Sequence, residues 1–256
     1  MSIKIAVHTV AKNEIENVAE WVNHALEADE ILLLDTGSTD GTLEIARSLT
    51  DKYSQLSLYQ ATIRPWRFDV ARNTALSLVR SDIDVVVTVD LDERLKPGWR
   101  QAIESVWQVG VHSMGSYRYI FATDKNGRPT LEFNQTRIHS RFNYHWRLPA
   151  HEAPYSYLLG QEAFVFIPGM EVWQKQNHTK VNRMERDLEL TRLGYQENPN
   201  DPRAVFYYGR QCQYAGRWDE AIELLTRYFA MGKTFPWEAA AAAESLAAAW
   251  RGKERG

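Results

Sequence analysis

The hydrophobic pattern splits the chain into a front half that alternates and a back portion that does not. Ile3 to Val7 is a short β-prone run, and Glu14 to Glu27 follows with apolar residues at Ile15, Val18, Ala19, Val22, Ala25 and Leu26. Spacings of three and four put these side chains on one helix face, with Asn13 as the expected N-cap. Ile31 to Leu34 is apolar at every position and ends at Asp35, as a strand covered on both faces reads. Thr36 to Gly41 is turn chemistry, and Thr42 to Leu49 returns to a helical pattern. Gln55 to Tyr59 predicts a third strand and Phe68 to Val79 a third helix. A fourth strand, Asp84 to Val89, runs into the acidic cluster Asp90, Asp92 and Glu93. Pro97 suits the first turn of a helix reaching Trp107. Four β-then-α units in a row predict a mostly parallel sheet with helices on both faces.

The pattern changes after Gly115. Tyr117 to Thr123 and Thr130 to Ile138 read as strands joined by a hairpin turn at Lys125-Asn126-Gly127. From Arg137 to Trp173 the chain reads as irregular, aromatic and basic, with short strand-like pieces such as Ala163 to Ile167. From Lys180 onward it is helical throughout, broken at Asn198-Pro199-Asn200-Asp201-Pro202. Helices are predicted over Arg203 to Tyr214, Trp218 to Met231 and the Ala-rich Trp237 to Trp250. The expected organisation is therefore an α/β domain over 1–178 and an all-α extension over 179–256.

Composition narrows the function classes. At 256 residues the chain holds roughly 1.7 domains of about 150 residues. Thirty Lys and Arg against 33 Asp and Glu leave a charge of −3, which gives no whole-chain attraction to nucleic acid or an anionic membrane. The single Cys212 excludes a disulfide framework and a multi-cysteine zinc site, and reads as a buried small apolar residue. No apolar run reaches the roughly 18 residues of a membrane span, and Met1 to Val10 is no signal peptide. A cytoplasmic location is the expectation.

In an open parallel sheet, ligands bind beyond the carboxyl ends of the strands. Those ends here carry His8 to Glu14, then Asp35-Thr36-Gly37-Ser38-Thr39-Asp40-Gly41-Thr42, then Asp90-Leu91-Asp92-Glu93. Asp35 could accept hydrogen bonds from a ribose or base N–H, or cap the turn it begins; Asp40 equally suits a helix start. Asp90 and Asp92, two apart, would point to one side of an extended chain. Paired carboxylates form half a site for Mg²⁺ or Mn²⁺, which completes its shell with water and phosphate oxygens. The plain alternative is a solvated acidic loop.

Lys12-Asn13-Glu14, the D-T-G-S-T-D-G-T segment, Phe68-Asp69-Val70-Ala71-Arg72-Asn73 and Asp90-Leu91-Asp92-Glu93 resemble, in order and spacing, the family-2 glycosyltransferases. The likeness covers about residues 3 to 110. A looser likeness runs through Arg137-Ile138-His139, Trp146, His151-Glu152 and His178 to the branch that carries tetratricopeptide-like helices. It implies the GT-A fold, a Rossmann-like sheet sandwiched by helices, and transfer of a sugar from a nucleotide donor, by family habit a UDP-sugar. By resemblance Thr9 and Asp35 lie at the base and ribose, Asn13 and Glu14 belong to the same nucleotide-binding set, Arg72 approaches the nucleotide, and Asn73 supports the loop. Asp90 and Asp92 would place Mn²⁺ or Mg²⁺ on the diphosphate, Asp92 more directly, with His178 as a late ligand. Inversion at the anomeric carbon carries over in the same way.

Such a transfer needs a base for the acceptor hydroxyl, and Glu152 matches the family's late H-E element; Glu93 is the weaker candidate. Arg137, His139, Arg141, His145 and Arg147 interleave with Phe142, Tyr144 and Trp146. That mixture suits a sugar ring, a diphosphate or an unstacked nucleobase, and equally a lid packed on the sheet. It is the one local hint of a nucleic-acid acceptor. In the tail, Gly209, Ala221 and Leu225 approach tetratricopeptide spacing over about one and a half units, fewer than a free-standing solenoid needs. The tail is thus expected to dock on the catalytic domain, or to offer a groove to a protein partner. Rival readings are a nucleotidyltransferase, disfavoured by the absence of Gly between His8 and Glu14, and an inert scaffold acting through its tail.

Overall fold

The computed structural model describes residues 2–158, 162–175, 183–232 and 236–255. Four parallel strands, β1 (Ile5–Ala11), β2 (Glu30–Asp35), β3 (Leu56–Gln60) and β4 (Val85–Thr88), stand in the order β3-β2-β1-β4. The sheet continues through β7 (Pro129–Ser140), β6 (Met114–Thr123), β10 (Phe164–Gln174) and β5 (Glu93–Leu95), making eight strands. Here β7 runs antiparallel to both β4 and β6, while β10 is parallel to β6. A separate hairpin pairs β8 (Tyr144–Arg147) with β9 (Ala153–Ser156). The result is the mostly parallel α/β sheet of the GT-A type, followed by four helices.

The continuous apolar runs are explained by cover on both faces. On one face Ile5, Val7, Leu33 and Val87 pack with Trp21 of α1 (Val18–Ala25) and Trp99 of α4 (Trp99–Val106), and α2 (Thr42–Lys52) adds Ala46. On the other, Ala6, Leu32, Leu34 and Val86 meet Ala75 and Leu76 of α3 (Phe68–Leu78) and Trp146.

Several local readings are corrected. Helix α1 begins at Val18 with Asn17 in the N-cap position; Asn13 instead takes a left-handed conformation, φ +56°, in the loop before it. Helix α4 starts after Gly98, whose φ is +88°, so Pro97 precedes the helix and does not open it. Glu93 lies in strand β5 and not in an acidic loop. The stretch read as irregular contains β8, β9 and the eleven-residue β10. The strand-like piece Ala163 to Ile167 is the start of one longer strand, whose register shifts between Phe166 and Glu171, where Pro168 and Gly169 interrupt the pattern.

By compactness the chain forms two units. One comprises 1–65, 70–147 and 153–178; the other comprises 66–69, 148–152 and 179–256. The second is built on α5 (Arg183–Glu197), α6 (Pro202–Tyr214), α7 (Trp218–Ala230) and α8 (Pro236–Lys253). Asp201 caps α6, accepting from the backbone N–H of Arg203 at 2.9 Å and of Ala204 at 3.3 Å. The unit's core holds Val205, Phe206, Leu224, Leu225 and Tyr228. Gly209 lets α6 and α7 approach closely, since a Cβ there would lie 3.0 Å from Leu225 and 3.1 Å from Leu224. Cys212 is fully buried, and burial pushes its thiol pKa up to about 12, so it serves as packing.

Candidate functional site

Because β1, β2 and β4 are parallel, their carboxyl ends open on one edge of the sheet. Two loops on that edge are stitched by side chain-to-backbone hydrogen bonds. The Asn13 N–H donates to Ser38 Oγ at 2.9 Å, and Asn13 Oδ1 accepts from the Thr39 N–H at 2.8 Å. The Glu14 N–H donates to Thr42 Oγ1 at 2.8 Å, and the Glu14 carboxylate accepts from Asn17 Nδ2 at 2.7 Å. Asp40 accepts from the Thr42 N–H at 3.0 Å and from the Ile15 N–H at 3.1 Å, a turn-closing role. Asp35, 1% exposed, folds the loop over itself: Oδ1 accepts from the N–H groups of Gly37 and Ser38 at 2.9 and 3.0 Å. Its Oδ2 is buried with no hydrogen-bond partner among the described residues.

The second element is the turn after β4, where the Glu93 N–H donates to Asp90 O at 2.9 Å. This turn, and not an extended segment, sets Asp90 and Asp92. Asp90 Oδ1 accepts from Arg72 at 2.7 Å and Oδ2 from Arg137 at 2.9 Å. Burial disfavours the Asp90 anion, but the two guanidiniums outweigh it and hold the carboxyl well below the usual carboxylate range. Glu93 is 2% exposed and accepts from the Asp90 N–H at 2.8 Å, from Tyr119 Oη at 2.8 Å and from Arg137 at 3.3 Å. Burial dominates there, with Asp90 adding to it against Arg137, and the Glu93 pKa is pushed up to about 7. The backbone carbonyl of Asp92 accepts from the Lys175 N–H at 2.7 Å and from Gln174 Nε2 at 3.2 Å, which ties the turn to the end of β10. Arg94, 8% exposed, ties the same turn to α1: it donates to Leu91 O at 2.7 Å and to Glu20 at 2.8 Å.

The structure thus brings together Asn13, Glu14 and Asp35 in one loop pair, and Arg72 with Asp90 beside Asp92 and Glu93. Asn73 supports the neighbouring segment: its amide exchanges two 2.8 Å hydrogen bonds with the Trp146 backbone. Thr9 is fully buried within β1, its Oγ1 without a hydrogen-bond partner among the described residues. Glu152 belongs to the helical unit, and His178 lies outside the described residues. Among the described residues no three His, Cys, Asp or Glu side chains form a metal cluster. Arg137 as the second partner of Asp90 is the contribution that motif reading missed. Its placement beside Arg72 depends on the antiparallel pairing of β7 with β4, a pairing no local spacing announces.

The fold and this edge define an α/β protein of GT-A type, with basic side chains around an acidic turn. Residues 6–170 match glycosyl transferase family 2, and the chain belongs to that family. An uncharacterized glycosyltransferase of Rickettsia conorii is 32% identical over 106 residues, 41% of this chain and 34% of that protein. One from Rickettsia bellii is 28% identical over 105 residues, 41% of this chain and 33% of its own length. The chain therefore spans about a third of the relatives it matches. Among solved structures, S. aureus TarS in complex with UDP-GlcNAc is similar at TM-score 0.51 and 13% identity, over 90% of this chain and 81% of that one. A mannosyltransferase from Pyrobaculum calidifontis in complex with GDP-Man and Mn²⁺ is similar at TM-score 0.51 and 17% identity, over 98% and 81%. No described helix is long and apolar enough to cross a membrane.

Proposed function

We propose that the chain transfers a sugar, with inversion, from a nucleotide diphosphate sugar, UDP by preference, to an acceptor hydroxyl. One observation carries the reading. Within a family-2 fold, Asp35, Arg72, Asp90 and Asp92 stand on the carboxyl edge of the sheet, with Asp90 held between Arg72 and Arg137. The loop pair containing Asp35, Asn13 and Glu14, entered from Thr9, would take the base and ribose. Arg72 and Arg137 would face the diphosphate side.

The donor set fits a hard divalent cation, which takes one or two carboxylates and otherwise water and phosphate oxygens. Both oxygens of Asp90 already accept from arginine, which favours Asp92 as the direct ligand, with Asp90 behind it and His178 as a further ligand. When bound, Mn²⁺ or Mg²⁺ would neutralise charge on the departing diphosphate. Glu152 acts as general base: it takes the proton of the acceptor hydroxyl as that oxygen attacks the anomeric carbon opposite the leaving group. The tail is read as tetratricopeptide-like on the close packing of Gly209 against Leu224 and Leu225.

The test is direct. Melting temperature with UDP, GDP and Mn²⁺, separately and together, should rise most for UDP with Mn²⁺. Mass analysis should then detect hydrolysis of one of a set of nucleotide sugars. No joint rise and no hydrolysis would overturn the reading.

A further inference from the structure

The aromatic and basic run 137–147 divides in the fold. Arg137 goes to Asp90, and His139, Tyr144 and Trp146 are buried, whereas Arg141, Phe142 and His145 stay at the surface. The Arg141 N–H donates to Asp84 O at 3.0 Å, which sets this segment at the start of β4, on the opposite edge of the sheet from the charged turn. With Asn143, Tyr157 and Ser77 of α3 these side chains line a groove of about 420 Å³, a volume suited to a small ligand. Arg141 Nη2 donates to Val79 O at 2.5 Å and Nε to Arg80 O at 3.1 Å, and its guanidinium lies 5.0 Å from the Phe142 ring centroid. Its Nη1 has no hydrogen-bond partner, and no carboxylate forms an ion pair with it, among the described residues. Glu30, whose charge reaches it, is 2% exposed and accepts from the Arg80 N–H at 3.0 Å. The Tyr157 ring stacks on His145, centroids 4.1 Å apart and planes 19° from parallel, and the Tyr157 N–H donates to Asn143 O at 2.9 Å. Phe142 and Tyr157 are nonetheless 54% and 65% exposed.

A fixed guanidinium with donors to spare, beside two exposed ring faces, recognises an anionic group carried on a ring. We propose that this groove binds an acidic saccharide: the sugar ring lies against Phe142 and Tyr157, and its carboxylate or phosphate pairs with Arg141. Asn143 and Ser77 add neutral hydrogen-bonding groups of the kind sugar hydroxyls use. A single cation suits one anion per bound residue. A nucleic-acid strand would need a row of cations along its phosphates, and the neighbouring Arg80 is already paired with Asp82 at 3.0 Å. The role of the groove, though not its ligand, rests on the transferase reading. From Asp84 to Asp90 at about 3.3 Å per residue is roughly 20 Å, so the groove would hold a distant part of an acceptor chain, away from the donor.

The test is calorimetry on the full chain with trigalacturonate, glucose 6-phosphate, uncharged maltotriose and a short oligo-dT. Trigalacturonate or glucose 6-phosphate should bind roughly ten-fold or more tightly than maltotriose, as a charge-assisted hydrogen bond allows. The two acids distinguish a carboxylate ligand from a phosphate one. Arg141→Gln should abolish the preference for the acid. Tyr157→Ala, at an exposed position that spares the fold, should weaken binding of the acid roughly three- to ten-fold. Affinity for UDP with Mn²⁺ should be unchanged in both variants. Binding of neither acid, equal binding of maltotriose, or undiminished binding of the acid by both variants would overturn the inference. Tighter binding of oligo-dT would put a single-stranded nucleic acid in its place, and a parallel loss of UDP affinity would move the groove into the donor site; either result overturns it too. Acid binding that responds to both variants, in a chain that binds no UDP, would uphold the groove's ligand and overturn the transferase reading instead.

Discussion

Two loops on the same edge of the sheet are held by different physics. The Asn13–Thr42 loop pair is closed by hydrogen bonds between side chains and backbone N–H groups, with Asn13, Ser38 and Thr42 supplying neutral acceptors and Asp35 and Asp40 carboxylate ones. The turn at Asp90–Glu93 is held by charge: Arg72 and Arg137 on Asp90, Tyr119 and Arg137 on Glu93, Arg94 back to Glu20. Short-range hydrogen bonds to backbone N–H groups set a local shape. Buried, partnered charges respond to any added charge, proton or cation. On the proposed reading, the first region would recognise a nucleoside, and the second would answer a polyanion that arrives with its metal.

The largest effect should lie outside both regions, at Glu152, the proposed base. Glu152→Gln keeps volume and one acceptor oxygen but takes no proton near neutral pH, so transfer should fall roughly 10² to 10⁴-fold. UDP affinity with Mn²⁺, measured by calorimetry, should stay within about two-fold, since neither loop is touched. A parallel loss of affinity would move Glu152 into the donor site.

Breaking the arginine–carboxylate region should cost more stability than breaking the loop pair closed on backbone N–H groups. Arg137→Met removes a partner from both Asp90 and Glu93. A fully buried pair costs about 3–5 kcal/mol to break; with Asp90 33% exposed, a loss of roughly 2 kcal/mol in urea melts is expected. Asn13→Ala removes the link to Thr39 and places Ala at φ +56°, for about 1 kcal/mol. If Asn13→Ala costs the more, the contrast between the two regions fails.

The strands that lead into this edge carry a pH-sensitive element. His8 on β1 and His139 on β7 are both fully buried, and His8 Nε2 lies 2.7 Å from Thr88 Oγ1 on the strand between them. Burial lowers the His139 pKa to about 4, and burial with His139 nearby lowers that of His8 well below its ordinary value. The unfolded chain therefore binds more protons below pH 6.5, and stability should fall as pH drops from 6.5 toward 4. His139 alone contributes roughly 2 kcal/mol of loss by pH 5. Denaturant melts at pH 7 and pH 5 on His139→Gln should show a smaller pH slope; an unchanged slope would place the titration elsewhere.

How much of this was legible follows from what each feature depends on. The runs Ile31–Leu34 and Val85–Val89 announced buried parallel strands because both faces are covered, and the helical tail announced itself by periodicity and alanine. Strand β10 was hidden by Pro168-Gly169, which breaks its alternation at the register shift. The start of α1 was hidden because Asn13 suits a cap as well as it suits the left-handed turn it makes. Asp35 and Asp90 were legible as strand-end acids. The long-range partner of Asp90 was not: Arg137 is 47 residues away, a separation that only the folded topology closes.

On the proposed reading, the charged turn answers the donor's diphosphate together with a divalent cation. Asp92→Asn tests it most directly, by titrating UDP calorimetrically into the variant and the unmodified chain with and without Mn²⁺. The prediction is that Mn²⁺ strengthens UDP binding to the unmodified chain at least ten-fold, about 1.4 kcal/mol, and not in Asp92→Asn, whose melting temperature stays unchanged without ligand. Equal Mn²⁺-dependent strengthening in the variant would contradict the claim.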